Sequence, residues 1–353
     1  MHLETFLYML TQSDKTLPPT KKSPDFQAMA AEAMAKAVPN DWIKIPVSPV
    51  EIGVNDPEND EGPDRFFGWD NEKPTRTVRA AAAFEAKARP ITNGDFAEYL
   101  QGIQSKALPA SWLTALNVEE TAPGTSYIDG KFVKTVYGPV ALRDALSWPV
   151  WGSYDELDRC ARFFGGRIPT VEECHSLYQY AELRKQDEAD GILSRKISAV
   201  NGHLSENGVA TSPTSTSSSQ SVDPYRHFVD LKGCNVGLQN WHPVPVTPFG
   251  GKLCGRSELG GVWEWTSSAL QQHEGFEAGE LYPAYTDDFF DGKHNIVLGS
   301  SWATHPRIGG RRSLYVSLTK HEASAKSPSV NWFQRSYPYA FVGARIVREV
   351  PQA

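Results

Sequence analysis

Cysteine, runs of basic residues and long apolar segments are all scarce in this sequence. Its 353 residues include four cysteines, and no two of them have CxxC spacing. This favours buried free thiols in a reducing compartment, the cytoplasm, over a disulfide scaffold. The net charge is −7 and no long basic run occurs, so we expect no nucleic-acid partner.

Membrane association is not expected either. No apolar run approaches the roughly 20 residues that a helix needs to cross a bilayer. The N-terminal stretch has an early acidic residue, Glu4, and no basic residues before its apolar part. It therefore differs from a secretory signal peptide.

Aromatic residues and glycine are plentiful, with ten tryptophans and 28 glycines. From Trp42 onward, short strand-like segments alternate with Gly, Pro, Asn and Asp, which predicts an α+β fold with much irregular structure. Helices are predicted at Phe26–Val38, Asn93–Gln104 and Ser153–Phe164 and from Val171 to about Lys185. Residues 203–223 form a Ser/Thr-rich tract that we expect to be a disordered loop.

The first residues have helical spacing without a helix start. Apolar residues recur through residues 2–12, but no N-cap precedes them. We therefore expect that a helix begins upstream and that this chain is N-terminally truncated.

One short segment has a clear strand pattern. Trp263 and Trp265 alternate around Glu264, which predicts two rings on one face of a strand and a carboxylate on the other. Arg167 and Arg345 each follow small residues and are predicted to be buried anchors for carboxylates or carbonyl groups.

Six phrases carry a family resemblance through their order along the chain. They are FGWDNEKP at 67–74, ARPITNGDFAEYL at 88–100, FFGGRIPTVEEC at 163–174, ELGGVWEWTSS at 258–268, VLGSSWATHPR at 297–307 and YPYAFVGARIVRE at 337–349. The series resembles the formylglycine-generating-enzyme (sulfatase-modifying factor) domain family, which has a C-type-lectin-related fold. FGWDNEKP narrows the resemblance to the ergothioneine-biosynthesis sulfoxide synthases.

The resemblance implies a division of the chain. Residues 1–13 would be the end of a DinB-like metal-binding helix, and residues 14–44 a linker with one short helix. Residues 45–350 would form the formylglycine-generating-enzyme-like domain.

A metal ligand is implied near the start of the chain. These synthases carry an HxxxHxE signature on a helix, and His2-Leu3-Glu4 matches its last His and its Glu. His2 would therefore bind non-haem Fe(II), and Glu4 would support the site from behind. The other ligands of the family's iron site have no match in this chain, so we expect incomplete ligation.

Substrate contacts are implied near the C-terminus. The segment NWFQRSYPY at 331–339 resembles the synthases' hercynine-binding stretch, which makes Asn331, Trp332 and Tyr337 the expected contacts. Aromatic faces suit the trimethylammonium group of hercynine, the trimethylated histidine. The implied reaction joins hercynine and cysteine, with O2, to hercynylcysteine sulfoxide.

Two departures concern the thiol donor and the proton donor. Bacterial synthases that use γ-glutamylcysteine carry a catalytic Tyr just after WTSSA, where this chain has Leu270. Phe333 and Tyr337 stand where an acidic and a basic residue would hold the γ-glutamyl arm. These features favour the fungal-type branch and free cysteine, and they leave His273 or Tyr337 as proton donor.

Alternatives remain at this stage. The chain could be a lectin-like binding module without catalysis. A formylglycine-generating oxidase is disfavoured, because that chemistry uses a cysteine pair near the C-terminus and no Cys follows Cys254. Residues 311–329 could be a genuine loop or a mispredicted exon, and His294 and His321 are expected to be exposed.

Overall fold

A computed structural model describes residues 2–19, 23–56, 68–115, 126–181, 184, 234–249, 261–280, 282–305, 308 and 330–351. The predicted loop at 203–223, the segment 311–329 and His321 lie outside the described residues.

Helices form where the sequence supplies amphipathic spacing and caps. They are α1 (His2–Leu10), α2 (Phe26–Ala35), α3 (Asn93–Gly102), α4 (Tyr154–Phe163) and α5 (171–181). The Thr92 and Ser153 side chains each accept from the third residue of the helix that follows, and Asp95 and Glu156 reach back to complete capping boxes. The predicted helices are confirmed within the described residues, with α2 ending earlier than expected.

The strands are short and fall into four sheets. They are β1 (Trp42–Ile45), β2 (Pro49–Ile52), β3 (Arg76–Arg79), β4 (Phe84–Lys87), β5 (Trp112–Thr114), β6 (Lys131–Thr135), β7 (Gly138–Ala141), β8 (Trp263–Ala269), β9 (His294–Gly299), β10 (Val330–Gln334), β11 (Val342–Gly343) and β12 (Val347–Glu349). The orders are β1-β4-β12, β10-β9-β8-β11, β2-β3 and β5-β6-β7. The predicted α+β class with much irregular structure is confirmed.

Large aromatic rings fill the principal core. The fully buried side chains include Trp148, Trp151, Trp263 and Trp265. Gly343 lies where β11 passes the backbone of Val150, and a Cβ added there would come within 2.7 Å of the Val150 carbonyl oxygen. The large rings that fill the core account for the richness in Trp. Close approach of backbones accounts for glycine at positions such as Gly343.

A buried ion pair joins two of the sheets. Arg345 donates to both carboxylate oxygens of Glu264 on β8, at 3.1 and 2.8 Å, and to the carbonyls of Lys87 and Ala88 at the end of β4. The predicted role of Arg345 as a buried anchor is confirmed. Arg167 is only half-buried and pairs with Glu173 and Glu349.

Two smaller predictions can also be compared with the described residues. Cys160 and Cys174 are buried free thiols, as predicted, and Cys234 is half-buried. No helix in the described ranges combines the length and apolar character needed to cross a membrane.

Candidate functional site

The four-stranded sheet presents two chemically different faces. Register partners in neighbouring strands point to the same side, so Trp265, Val297, Asn331 and Phe333 define what we call the front face. The intervening positions define the back face, listed here as Ile296, Leu298, Val330 and Trp332.

Helix α1 is held against the front-face side of the domain by a buried carboxylate. Glu4 is 6% exposed. It accepts hydrogen bonds from Trp263 Nε1 at 2.8 Å, from Thr304 Oγ1 at 3.0 Å and from Ser301 Oγ. Burial raises the pKa of Glu4, and the hydrogen bonds from Ser301, Trp263 and Thr304 oppose that rise. One side chain therefore ties α1 to three points of the domain.

Tyr8 makes the second contact of α1, one helical turn after Glu4. Its ring meets the rings of Phe333, Tyr337 and Phe341 edge-on, with centroids 6.3, 6.1 and 6.0 Å apart. Glu4 and Tyr8 are four residues apart and so share one side of the helix. This side packs on the domain as a rigid unit.

His2 lies on the same helix but is exposed. Two residues correspond to about 200° around an α-helix, so His2 points away from the buried Glu4. The exposed side also carries four large apolar residues, Leu3, Phe6, Met9 and Leu10. Among the described residues, no group of three or more His, Cys, Asp or Glu side chains could hold a metal ion. The described residues therefore do not form an iron site by themselves.

Asn331 and Tyr337 lie close to where α1 docks. Asn331 is buried on the front face, and its Oδ1 accepts the backbone N–H of Trp332 at 2.9 Å. The ring of Tyr337 stacks on that of Phe333, with centroids 6.1 Å apart. Burial raises the pKa of Tyr337 to about 12, so its phenol keeps its proton at neutral pH.

Trp332 and His273 lie elsewhere. Because side chains alternate along β10, Trp332 points to the back face, where its ring contacts those of Tyr285 and Phe289. His273 lines a cavity beneath the back face. The structure thus brings Tyr337 into contact with α1 and places Asn331 on the front face, whereas Trp332 and His273 lie on the back-face side.

The expectation for His294 is wrong. Its side chain is buried, and its Nδ1 lies 2.9 Å from Asp291 Oδ1. The polar residues around it in the sequence suggested exposure. However, the position is the first of β9, and the ring packs edge-on against Phe289.

Sequence reasoning missed the residues that receive α1. The strand pattern predicts a face for Trp263 but no partner, and no pattern in the sequence marks Ser301 or Thr304. Their contact with Glu4 spans 259 to 300 positions along the chain, which no local pattern shows. Tyr8 offered a signal, since it follows Glu4 at helical spacing.

Comparison with known proteins gives close relatives. The chain is 49% identical to Ergothioneine biosynthesis protein 1 of Neurospora crassa, over 99% of this chain and 42% of that protein. It is 31% identical to Ergothioneine biosynthesis protein 1 of Schizosaccharomyces pombe, over 99% of this chain and 38% of that protein. Hercynine oxygenase of Mycobacterium tuberculosis is 29% identical, over 68% of this chain and 50% of that protein.

The chain spans about two fifths of the length of the two Ergothioneine biosynthesis proteins. The resemblance to the sulfoxide synthases of ergothioneine biosynthesis is confirmed by these relatives. The model of the "Sulfatase-modifying factor enzyme 1-like domain" family matches residues 28–350. The chain belongs to that family.

Proposed function

We propose that this chain is the substrate-binding part of a fungal-type, cytoplasmic sulfoxide synthase of ergothioneine biosynthesis. The reaction is hercynine plus cysteine plus O2 giving hercynylcysteine sulfoxide plus water, with one C–S and one S–O bond formed. Support comes from the relatives, of which two are ergothioneine biosynthesis proteins and one is a hercynine oxygenase. The buried free thiols of Cys160 and Cys174 suit a reducing compartment.

The docking of α1 on the front face carries this proposal. It brings the helix that bears His2 to the side of the sheet on which Asn331 lies. There the Asn331 amide would hydrogen-bond hercynine, and the Tyr337 ring would face its trimethylammonium group. Trp332 points to the other face, so its position gives no support to a role in the same pocket.

The two proton-donor candidates differ in position. Tyr337 lies beside Tyr8 of α1, and its phenol is protonated at neutral pH, since burial raises its pKa to about 12. His273 is on the opposite side of the sheet, and burial lowers its pKa. Position and protonation therefore favour Tyr337 as the group that holds the proton.

The cofactor belongs to the same proposal. Non-haem Fe(II) would activate O2 when bound, with His2 as one ligand. A single exposed imidazole does not make a competent site, and the described residues offer no further set of ligands. We therefore assign no step of the reaction to iron in this chain.

Calorimetric titration with hercynine tests the proposal. We expect Asn331→Ala to weaken hercynine binding at least tenfold, because it removes the amide that would contact the substrate. Gln334→Ala is the matched control, since Gln334 is exposed on the same strand. Equal affinities of the Asn331→Ala variant and the unaltered chain would contradict the proposal.

A binding module without catalysis is the second candidate. It is favoured by the lack of a metal-binding group among the described residues. Mass spectrometry after incubation with hercynine, cysteine, Fe(II) and air tests the second candidate. Sulfoxide formation by this chain would rule it out, whereas hercynine binding without sulfoxide formation agrees with both candidates, because the described residues do not complete an iron site.

A further inference from the structure

A cavity of about 320 Å³ lies beneath the back face of the four-stranded sheet. Its walls come from β2 and β3, from α5, from the back face and from the segment that follows β8. We call it the back-face cavity. Gln271 and Gln272 lie at its edge and are exposed, so the cavity reaches the surface there. Its size falls in the range of small-molecule sites.

Arg76 and Glu172 are two opposite charges in the cavity wall, in addition to Glu72, whose carboxylate accepts the Trp69 backbone N–H. The Glu172 carboxylate is close enough to influence the pKa of the Arg76 guanidinium. The only side-chain hydrogen bond that Arg76 donates to a described residue is a long one, 3.5 Å, to the Pro74 carbonyl. Within the described ranges, the two charges form no salt bridge with each other or with another residue. Burial lowers the pKa of Arg76, because the charge of Glu172 only partly offsets the cost of removing the guanidinium from water.

A buried polar side chain also lacks partners. Asn71 is 8% exposed and lines the cavity, and neither its Nδ2 nor its Oδ1 has a hydrogen-bond partner in the described structure. A buried amide without partners is in general unfavourable, because it has lost its hydrogen bonds to water without replacing them. Such a group in a cavity wall is typical of a site that a polar ligand completes.

The rest of the wall is apolar. Leu270, Leu298 and Phe290 also line the cavity, together with other aliphatic and aromatic side chains. A ligand that pairs with both Arg76 and Glu172 and also fills the apolar part of the cavity therefore carries a negative group, a positive group and an apolar body. A simple anion would leave Glu172 unpaired, and an apolar molecule would leave both charges and Asn71 unsatisfied.

We propose that the back-face cavity binds a free amino acid with an apolar side chain. Its carboxylate would bind Arg76 and the Asn71 amide, its ammonium group would bind Glu172, and its side chain would pack against Leu270, Leu298 and Phe290. The site lies on the opposite side of the sheet from Asn331 and Tyr337. It is therefore separate from the proposed hercynine site and does not depend on it.

Calorimetry with L-leucine as the probe tests this assignment. We expect L-leucine to bind the 353-residue chain. Binding of 4-methylpentanoate, which lacks the ammonium group, and of 3-methylbutylamine, which lacks the carboxylate, should each be at least tenfold weaker. Absence of leucine binding, or equal binding of either analogue, would overturn the proposal.

Variants assign the binding to this cavity. Arg76→Gln and Glu172→Gln should each weaken leucine binding at least tenfold, and Arg76→Lys should weaken it less because it keeps the charge. Arg79→Gln is the matched control, since Arg79 is exposed on the other face of the same strand. If Arg76→Gln does not fold, Glu172→Gln and the two analogues decide. Unchanged affinity in the Glu172→Gln variant, or an equal loss in Arg79→Gln, would refute the site.

Discussion

At the residue scale, Glu4 decides where the first helix lies. A carboxylate that is 6% exposed is stable only because three donors surround it. The resemblance suggested a supporting role behind a metal ligand. The structure shows a different contact, since Glu4 joins α1 to the domain while His2 points away. The sequence could predict the helix but not this partner, because the donors come from β8 and the segment after β9.

Removal of this carboxylate should release the helix. We expect Glu4→Ala to lower the free energy of unfolding by about 3 kcal/mol, because Trp263, Ser301 and Thr304 lose a shared buried acceptor. Urea denaturation measures the loss, and hydrogen exchange of the α1 amides should show faster opening. Glu32→Ala on exposed α2 is the control and should change neither quantity.

His175 gives a residue-scale prediction on pH. It is fully buried on α5, and desolvation, followed by the charge of Arg76, lowers its pKa to about 3. The unfolded chain has a His pKa of about 6.5 and so binds more protons than the folded chain between these values. The stability that this group contributes is thus complete above about pH 6.5 and falls as the pH falls toward 3.

We therefore compare the unaltered chain with His175→Gln by urea denaturation at pH 7 and pH 4.5. The unaltered chain should lose roughly 3 kcal/mol more than the variant over this interval, from two pH units at about 1.4 kcal/mol each. Equal losses in the two proteins would show that His175 does not titrate as its burial requires.

At the scale of elements, local signals were sufficient for the helices. Thr92 and Ser153 are side chains that cap a helix and precede an apolar stripe, and α3 and α4 begin at the next residue. Strands were recognised as a class, but their pairing was not predictable. For example, β4 pairs with both β1 and β12, although β12 begins 260 positions after β4 ends. His294 shows the same limit, since its burial depends on tertiary contacts.

The cap of α4 can be tested directly. We expect Ser153→Ala to cost about 1 kcal/mol of unfolding free energy, because the Glu156 N–H loses its acceptor and the capping box opens. Ser153→Gly should cost less, since glycine is also tolerated at this position. Equilibrium denaturation gives both values. Arg162→Ala in the same helix is the control, since the Arg162 side chain is 67% exposed, and an equal loss there would argue against a specific cap.

At the scale of the molecule, the sheet with β8 at its centre separates two regions. α1, Asn331 and Tyr337 lie on the front side, and the back-face cavity lies on the other. The sequence predicted Asn331 and Tyr337 as site residues, and that assignment stays a prediction. The sequence could not predict that His273 lies in another region. His273 follows β8, and this seven-residue strand takes the chain to the far end of the sheet before His273 is reached. The division at residues 13 and 44 also stays a prediction.

The Glu264–Arg345 pair joins two of the sheets through the core, since Arg345 bridges β8 to the end of β4. Arg345→Met would leave the Glu264 carboxylate buried without its partner, and we expect a loss of about 3–5 kcal/mol. The double variant Glu264→Leu with Arg345→Met removes both charges and should be more stable than Arg345→Met alone. Urea denaturation of both single variants and the double variant measures this coupling. If the double variant is less stable than the unaltered chain by the sum of the two single losses, the pair does not act as a unit.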